Sequence, residues 1–314
     1  MAIPTSKPLS LSTVQTEYGG SNPISMSEYR GKGNAPASGA IDLWGDFNGT
    51  SNTASIEIRV YGATGGDRGA NAGGHGGYTQ FTATVVPGTT FSLYAGGAGE
   101  DAGSNEGGAG GAGSYVTVGS TLIAVAGGGG GGASGAAGGA GGGSNNAGSN
   151  GGGGSTGGSG GSGGVADNTG ARYSGNDGYD WTDPTFPGRG GGGGQPAIAP
   201  FPTQPGENPG NKALGGYGGD ASSQSDEGGG GGGGGYGGGA GGQTSDFNGI
   251  GFGGAGGGGY RRTTDLTGIT AVGGGGSNGS NAGHGYIQVY NGGSLVATVT
   301  ATTRSGASGS YTVP

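Results

Sequence analysis

The sequence predicts a mainly β chain: a small antiparallel β-sandwich of the jelly-roll kind, with long inserts that form a bundle of polyglycine II helices and almost no α-helix. Three observations predict it. Glycine supplies 97 of 314 residues, clustered rather than spaced at every third position. Short stretches of alternating apolar and polar residues stand on both sides of the glycine-rich middle, as half-buried strands require. Eight consecutive glycines at 228 to 235 have no side chains with which to join an apolar core, so they are either disordered or hydrogen-bonded to other backbones. A left-handed helix with three residues per turn has no internal hydrogen bonds and must find partners sideways, and all-glycine helices can do so on every side. The run 228 to 235 is therefore expected to be an inner helix of the bundle, roughly 25 Å long at 3.1 Å per residue.

Composition excludes several classes. Proline is only 13 and no strict G-X-Y period is kept, so the chain is not collagen. An apolar share of 29% leaves a small conventional core for this length. Eleven Lys and Arg against nineteen Asp and Glu give a net charge of −8, with no basic cluster beyond Arg261 and Arg262, so no nucleic-acid partner is expected. Cysteine is absent, which removes disulfides, thiol catalysis and Cys-ligated metals together. The opening MAIPTSKPLSLSTV lacks a signal-peptide pattern, and no apolar run approaches transmembrane length, so no membrane insertion is expected. The chain divides into an attachment segment over 1 to 50, first strands with glycine-rich loops over 51 to 126, the helix bundle with its loops over 127 to 284, and closing strands over 285 to 314.

The first 50 residues have nearly normal glycine density and a faint internal repeat. Ile24 to Gly31 and Ile41 to Gly49 each run from alternating apolar residues to an acid, an aromatic and a glycine. A segment this short is not expected to bury a core by itself. Leu9, Leu11, Ile24, Met26, Tyr29, Leu43, Trp44 and Phe47 are therefore expected to pack on another protein. The stretch IPTSKPLSLSTVQTEYGGSNPISMSEYRG resembles the N-terminal segment of many tailed-bacteriophage structural proteins. That resemblance implies a virion location, attachment to other virion proteins and a homo-oligomer such as a trimer.

From residue 53 the chain turns to strands. TASIEIRVYG places Ile56, Ile58 and Val60 on one face and Glu57 and Arg59 on the other. Further on, YTQFTATVVPGTTFSLYAGG reads as a hairpin about Val86-Pro87-Gly88-Thr89, and GSYVTVGSTLIAVAGG as one about Gly119-Ser120. Finally, GYIQVYNGGSLVATVT reads as two strands about Asn291-Gly292. Phe81, Phe91, Leu93, Val116, Leu122, Val125, Ile287, Val289 and Val299 are the expected core of a sandwich whose first and last strands meet.

Between the strands lie glycine-rich excursions whose other residues are mainly Ala, Ser and Asn, small enough to face outward from peripheral helices. LIAVAGGGGGGASG after GGAGGAGSYV is similar to the glycine-rich domain of the anaplastic lymphoma kinase receptor, where a TNF-like sandwich carries polyglycine helices. Glycine runs split by aromatic loops resemble the tip adhesins of T-even-type phage long tail fibres. The second resemblance, with the phage-like start, implies a tail-fibre or tail-tip protein that touches the host.

Two loops break the glycine pattern. Residues 165 to 188 hold Tyr173, Asn176, Asp177, Tyr179, Asp180, Trp181, Asp183 and Phe186, and residues 195 to 211 are rich in proline. Aromatic rings beside Asp and Asn offer flat contact area and hydrogen bonds to sugar hydroxyls or protein loops. These side chains either cap the bundle or bind a receptor, a host polysaccharide or an outer-membrane protein. Tyr217, Tyr236, Tyr260, Arg261 and Arg262 stand at glycine-run ends and fit either role. No catalytic residue, cofactor or metal is assigned. GxGxxG matches lack the strand and helix context that phosphate binding needs. His75 and His284 recur in a small repeat, each just before a strand, and a structural role there is preferred to a metal site. Asp167, Asp177 and Asp180 match a Ca²⁺ loop only loosely, and GGYGGDASS at 215 to 223 lacks the large apolar residue of a Ca²⁺ repeat at Ser222. The reading is a non-enzymatic virion protein. A subunit of an extracellular filament or of a head or neck fibre, an ice-binding protein and a tail depolymerase are the alternatives.

Overall fold

The computed structural model describes residues 3, 9–21, 25–47, 52–103, 107–144, 146–152, 229–236, 238–239, 241–242, 252–262, 269–272 and 276–314. The strands are β1 (Ala54–Tyr61), β2 (Gly76–Val85), β3 (Thr90–Ala95), β4 (Ser114–Val118), β5 (Thr121–Ala126), β6 (Tyr260–Arg261), β7 (Ile269–Val272), β8 (Gly276–Asn281), β9 (Tyr286–Asn291), β10 (Ser294–Thr300) and β11 (Ala307–Thr312). They form two antiparallel sheets. One has the order β10-β9-β1-β2-β7, with β8 also on β2, and the other is β11-β3-β4-β5-β6. The expected sandwich is present, and β1 meets β9 with Ile56 opposite Asn291 and Tyr61 opposite Tyr286.

Period-two burial on β1 follows from its alternation, with Ile56, Ile58 and Val60 fully buried. They pack with Phe81, Val85, Phe91, Leu93, Val116, Ile123, Ile287, Val289 and Val313 in one cluster between the sheets, against which Val299 is partly buried. Leu122 and Val125 are buried elsewhere, beneath Tyr236, Tyr115 and Tyr260 on the other face of β5. A bulge between Val116 and Thr117 shifts the β4–β5 register, and β5 is covered on both faces. Simple alternation misses a strand of that kind.

The turn at Val86-Pro87-Gly88-Thr89 closes with Thr89 N–H donating to Val86 O at 3.2 Å. Gly119 and Ser120 join β4 to β5, with Val118 paired to Thr121. The last hairpin is one residue later than its sequence suggests. Asn291 pairs with Ser294, so Gly292 and Gly293 form the two-residue loop, both at positive φ (56° and 82°), which two adjacent glycines accept without strain. Four strands were not read from the sequence: β6 and β7 are short, and β8, of sequence GSNGSN, and β11, of sequence ASGSYT, lack apolar alternation and pair with β2 and β3.

The glycine excursions form a hydrogen-bonded bundle of extended segments. The run at 229–236, expected as an inner helix, is buried throughout, and among the described residues the most surrounded segment is 127–132. Successive N–H groups of this segment donate in rotation to three neighbours: Gly127 and Gly130 to Gly142 and Gly139, Gly128 and Gly131 to Gly234 and Gly231, and Gly129 and Gly132 to Ala63 and Gly66. Its carbonyls accept in the same rotation from three others, through Gly77 and Gly74, Gly257 and Gly254, and Gly111 and Gly108. Six neighbours and a repeat of three residues define a polyglycine II helix inside a hexagonal packing. The long run at 229–236 is one of those six, bonded to 107–112, 127–132, 239–242 and 252–258. Sequence length does not mark the most surrounded segment, because a helix needs only two turns of uninterrupted glycine to be surrounded.

The first residues form a small core of their own. α1 (Leu11–Tyr18) is capped by Ser10, whose hydroxyl accepts from Thr13 N–H; a 3-10 turn covers Met26–Tyr29, and α2 covers Leu43–Phe47. Ile3, Val14, Tyr29, Ala35 and Phe47 are buried together, with Leu9, Tyr18, Met26, Ile41 and Leu43 against them. Tyr29 and Phe47 meet edge to face at 6.1 Å. This corrects the expectation that such a segment packs its apolar side chains only on another chain. Short helical turns brought five residues together where alternation had suggested extended pieces.

Candidate functional site

Among the described residues, the 86–89 turn and the β4–β5 and β9–β10 hairpins lie at one end of the sandwich, and the glycine excursions after β1, β3 and β5 leave from the other. Residues 62, 77, 96, 113, 127 and 259 each join a strand to the bundle. Hydrogen bonds place the far ends of the excursions in one tier: Gly132 to Gly66, Gly108 to Gly132, Gly138 to Ala72, Gly152 to Ala137, Gly230 to Phe252 and Gly242 to Gly230. This is the distal end, and residues 54 and 312, at the opposite ends of β1 and β11, face the other way.

The turns described at the distal end hold one another. The Asp67 carboxylate accepts from Gly73 N–H and the Asp101 carboxylate from Asp67 N–H, both at 2.8 Å, and the Asn71 amide donates to Ser134 O at 2.6 Å. Ala133 and Ala136 close a tight turn between the central segment and 137–142. Among the described residues these crossings are made by backbone or by a short polar side chain.

At the other boundary, three buried polar residues join the bundle to the sandwich. The Ser114 hydroxyl donates to Tyr61 O and accepts from Gly96 N–H, the Thr79 hydroxyl donates to Val125 O and accepts from Ser144 N–H, and the Asn281 amide donates to Gly62 O and His284 O. His284 Nδ1 accepts from Ala98 N–H at 3.0 Å, and His75 contributes its carbonyl to Gly141 N–H. Each histidine precedes a strand. The described residues contain no group of three or more His, Cys, Asp or Glu placed to hold a metal ion.

Tyr173, Asn176, Asp177, Tyr179, Asp180, Trp181, Asp183 and Phe186 lie outside the described residues, as do the proline-rich 195 to 211, Tyr217 and the loose Ca²⁺ motifs. Their flanks are described: Gly152 and Gly229 both stand in the distal tier. Of the attachment residues, Tyr29 and Phe47 are buried in the small core, Leu9, Met26 and Leu43 pack against it, Leu11 is half-buried on α1, Trp44 lies within α2, and Ile24 is outside the described residues. Tyr236 stacks on Tyr260 at 4.5 Å and covers Leu122 and Val125, so these two rings cap the join between bundle and sandwich.

Sequence reading passed over the outer face of the larger sheet. Tyr61 is stacked between Tyr78 (4.6 Å) and Tyr286 (4.2 Å), and the Arg59 guanidinium lies over the Tyr290 ring at 4.5 Å. Burial, then the neighbouring Tyr61, pushes the Tyr78 hydroxyl up to about 12. The signal was present as outward Tyr, Gln and Arg at alternate positions of three strands that pair.

Compared with known proteins, the chain matches no family model and no curated protein. Among the described residues no helix is long and apolar enough to cross a membrane.

Proposed function

We propose that the chain is a structural protein of a tailed-phage virion, a tail-fibre or tail-tip component that presents host-contacting loops at the end of a polyglycine frame. The observation that carries this reading is the polarity of the chain. The 152-to-229 excursion, which contains Trp181 and its aromatic and acidic neighbours, begins and ends in the distal tier, at the end of the molecule opposite to where the first 50 residues join β1. Support for the virion assignment comes from the likeness of those first residues to phage attachment segments. An attachment module and long loops at the far end of the frame suit an adhesin, since a frame bonded mainly through backbone constrains loop sequence little. Its partners are other virion proteins at the first end and a host surface molecule at the second.

The test is Trp181→Ala, read in two ways on the same particles. An aromatic anchor contributes about 2 kcal/mol or more to an interface, so adsorption is expected to fall roughly thirtyfold with the melting temperature unchanged. A lowered melting temperature with normal adsorption per folded particle would contradict the receptor role and leave Trp181 as a cap.

A further inference from the structure

We infer that the outer face of the larger sheet, centred on Arg59 between Gln80 and Gln288, binds an acidic polysaccharide through its carboxylates. This site is separate from the distal loops and goes beyond the adhesin reading, which does not use it.

Three rows cross β2, β1 and β9. The middle row is Gln80, Arg59 and Gln288; toward the bundle lies Tyr78, Tyr61 and Tyr286; on the other side lies Thr82, Glu57 and Tyr290. The acceptors of this face are engaged within it. Gln80 Oε1 accepts from the Tyr78 hydroxyl at 2.6 Å, Gln288 Oε1 from the Tyr290 hydroxyl at 3.2 Å, and Glu57 Oε1 from Arg59 Nε at 2.6 Å. In this orientation the NH₂ groups of both amides are left as donors. The Arg59 side chain, held by Glu57 and the Tyr290 ring, is still 36% exposed.

The middle row thus offers N–H donors from three adjacent strands about 4.8 Å apart. A planar guanidinium flanked by amide donors complements carboxylate oxygens, and charge-assisted bonds of that kind are about twice as strong as neutral ones. The tyrosine row, its rings stacked on one another, presents ring edges and hydroxyls beside it, which suit the C–H and O–H groups of sugar rings. A neutral glycan would gain only the weaker bonds. A second protein chain would need a contiguous apolar area; the outward residues of β1, β2 and β9 include no aliphatic side chain beyond threonine, and at the rim of the face β10 adds only the exposed Leu295, opposite Tyr290, and Val296. Since the chain carries −8 overall and Arg59 is already paired with Glu57, an acidic polymer is held by the remaining directed N–H donors of this row and not by net charge.

The full chain is titrated with polygalacturonate and alginate, and with polygalacturonate whose carboxylates are methyl-esterified. Binding of at least one acidic polymer is expected, weakened about tenfold or more by esterification and by the Gln80→Ala, Gln288→Ala pair at unchanged melting temperature. Arg59→Lys, which keeps the charge and loses the planar fork, is expected to weaken binding roughly threefold or more. Failure of both acidic polymers to bind, equal binding of the ester, or full affinity in the glutamine double variant would each overturn the site. None of these outcomes bears on Trp181 or on adsorption, so the two readings stand or fall separately.

Discussion

At Gly129 a β-carbon would come under 3 Å from the carbonyl oxygen of Gly74, although the backbone there is outside the left-handed region and its φ suits any L-residue. Glycine is needed for space, not for conformational freedom, and the obstacle is a hydrogen-bonded carbonyl that cannot step aside cheaply. Gly129→Ala is therefore expected to cost about 3 kcal/mol or more, read from denaturant unfolding. Ala147→Ser, on an exposed peripheral position, is expected to stay within about 0.5 kcal/mol. Equal stability of the two variants would contradict the packing. The tyrosines give a second residue-level test. Burial raises the Tyr78, Tyr286, Tyr94 and Tyr115 hydroxyls above the ordinary value near 10, Tyr78 to about 12. The unfolded chain ionises first, so the stability these groups contribute is complete below pH about 10 and is lost as pH rises from there through about 12. Thermal melts across that range, followed with tyrosinate absorbance, check it; ionisation of all fourteen tyrosines near pH 10 with no loss of folded structure would contradict it.

Among the elements, legibility followed the kind of force involved. Strands that bury an apolar face, such as β1 with Ile56, Ile58 and Val60, were plain in the sequence because period-two burial leaves a period-two pattern. β8 and β11 were hidden, since they are held by backbone pairing and by single side chains such as Asn281 and Tyr311, which leave no period-two pattern. The bundle was legible as a class from glycine content, and the longest run was legible as an inner helix, while the role of 127–132 was not. What distinguishes 127–132 is that it follows β5 directly into the middle of the excursions, a property of topology and not of composition. The small first core was missed for another reason: local helical turns at Leu11–Tyr18 and Leu43–Phe47 bring Val14, Tyr29 and Phe47 together across the segment, which alternation does not show. The candidate contact residues around Trp181 were chosen from sequence, and the structure supplies only the placement of their flanks.

For the whole molecule the governing feature is direction. Hairpins and the start of β1 occupy one end, distal turns the other, and a hydrogen-bonded frame keeps them apart. Because residues 3 to 47 have their own core, removing 1 to 50 is expected to leave the sandwich and bundle folded while abolishing incorporation into particles; truncated chain at normal copy number in purified particles would contradict the attachment role. All of this depends on the glycine segments forming a fixed lattice, and amide hydrogen exchange reports on that residue by residue. Gly128, Gly129 and Gly131, each donating to a different segment from those beside it, are expected to exchange as slowly as the amides of β1, through global unfolding alone. Exchange of these three at the rate of an unstructured glycine peptide, with β1 still protected, would contradict the lattice and the account built on it.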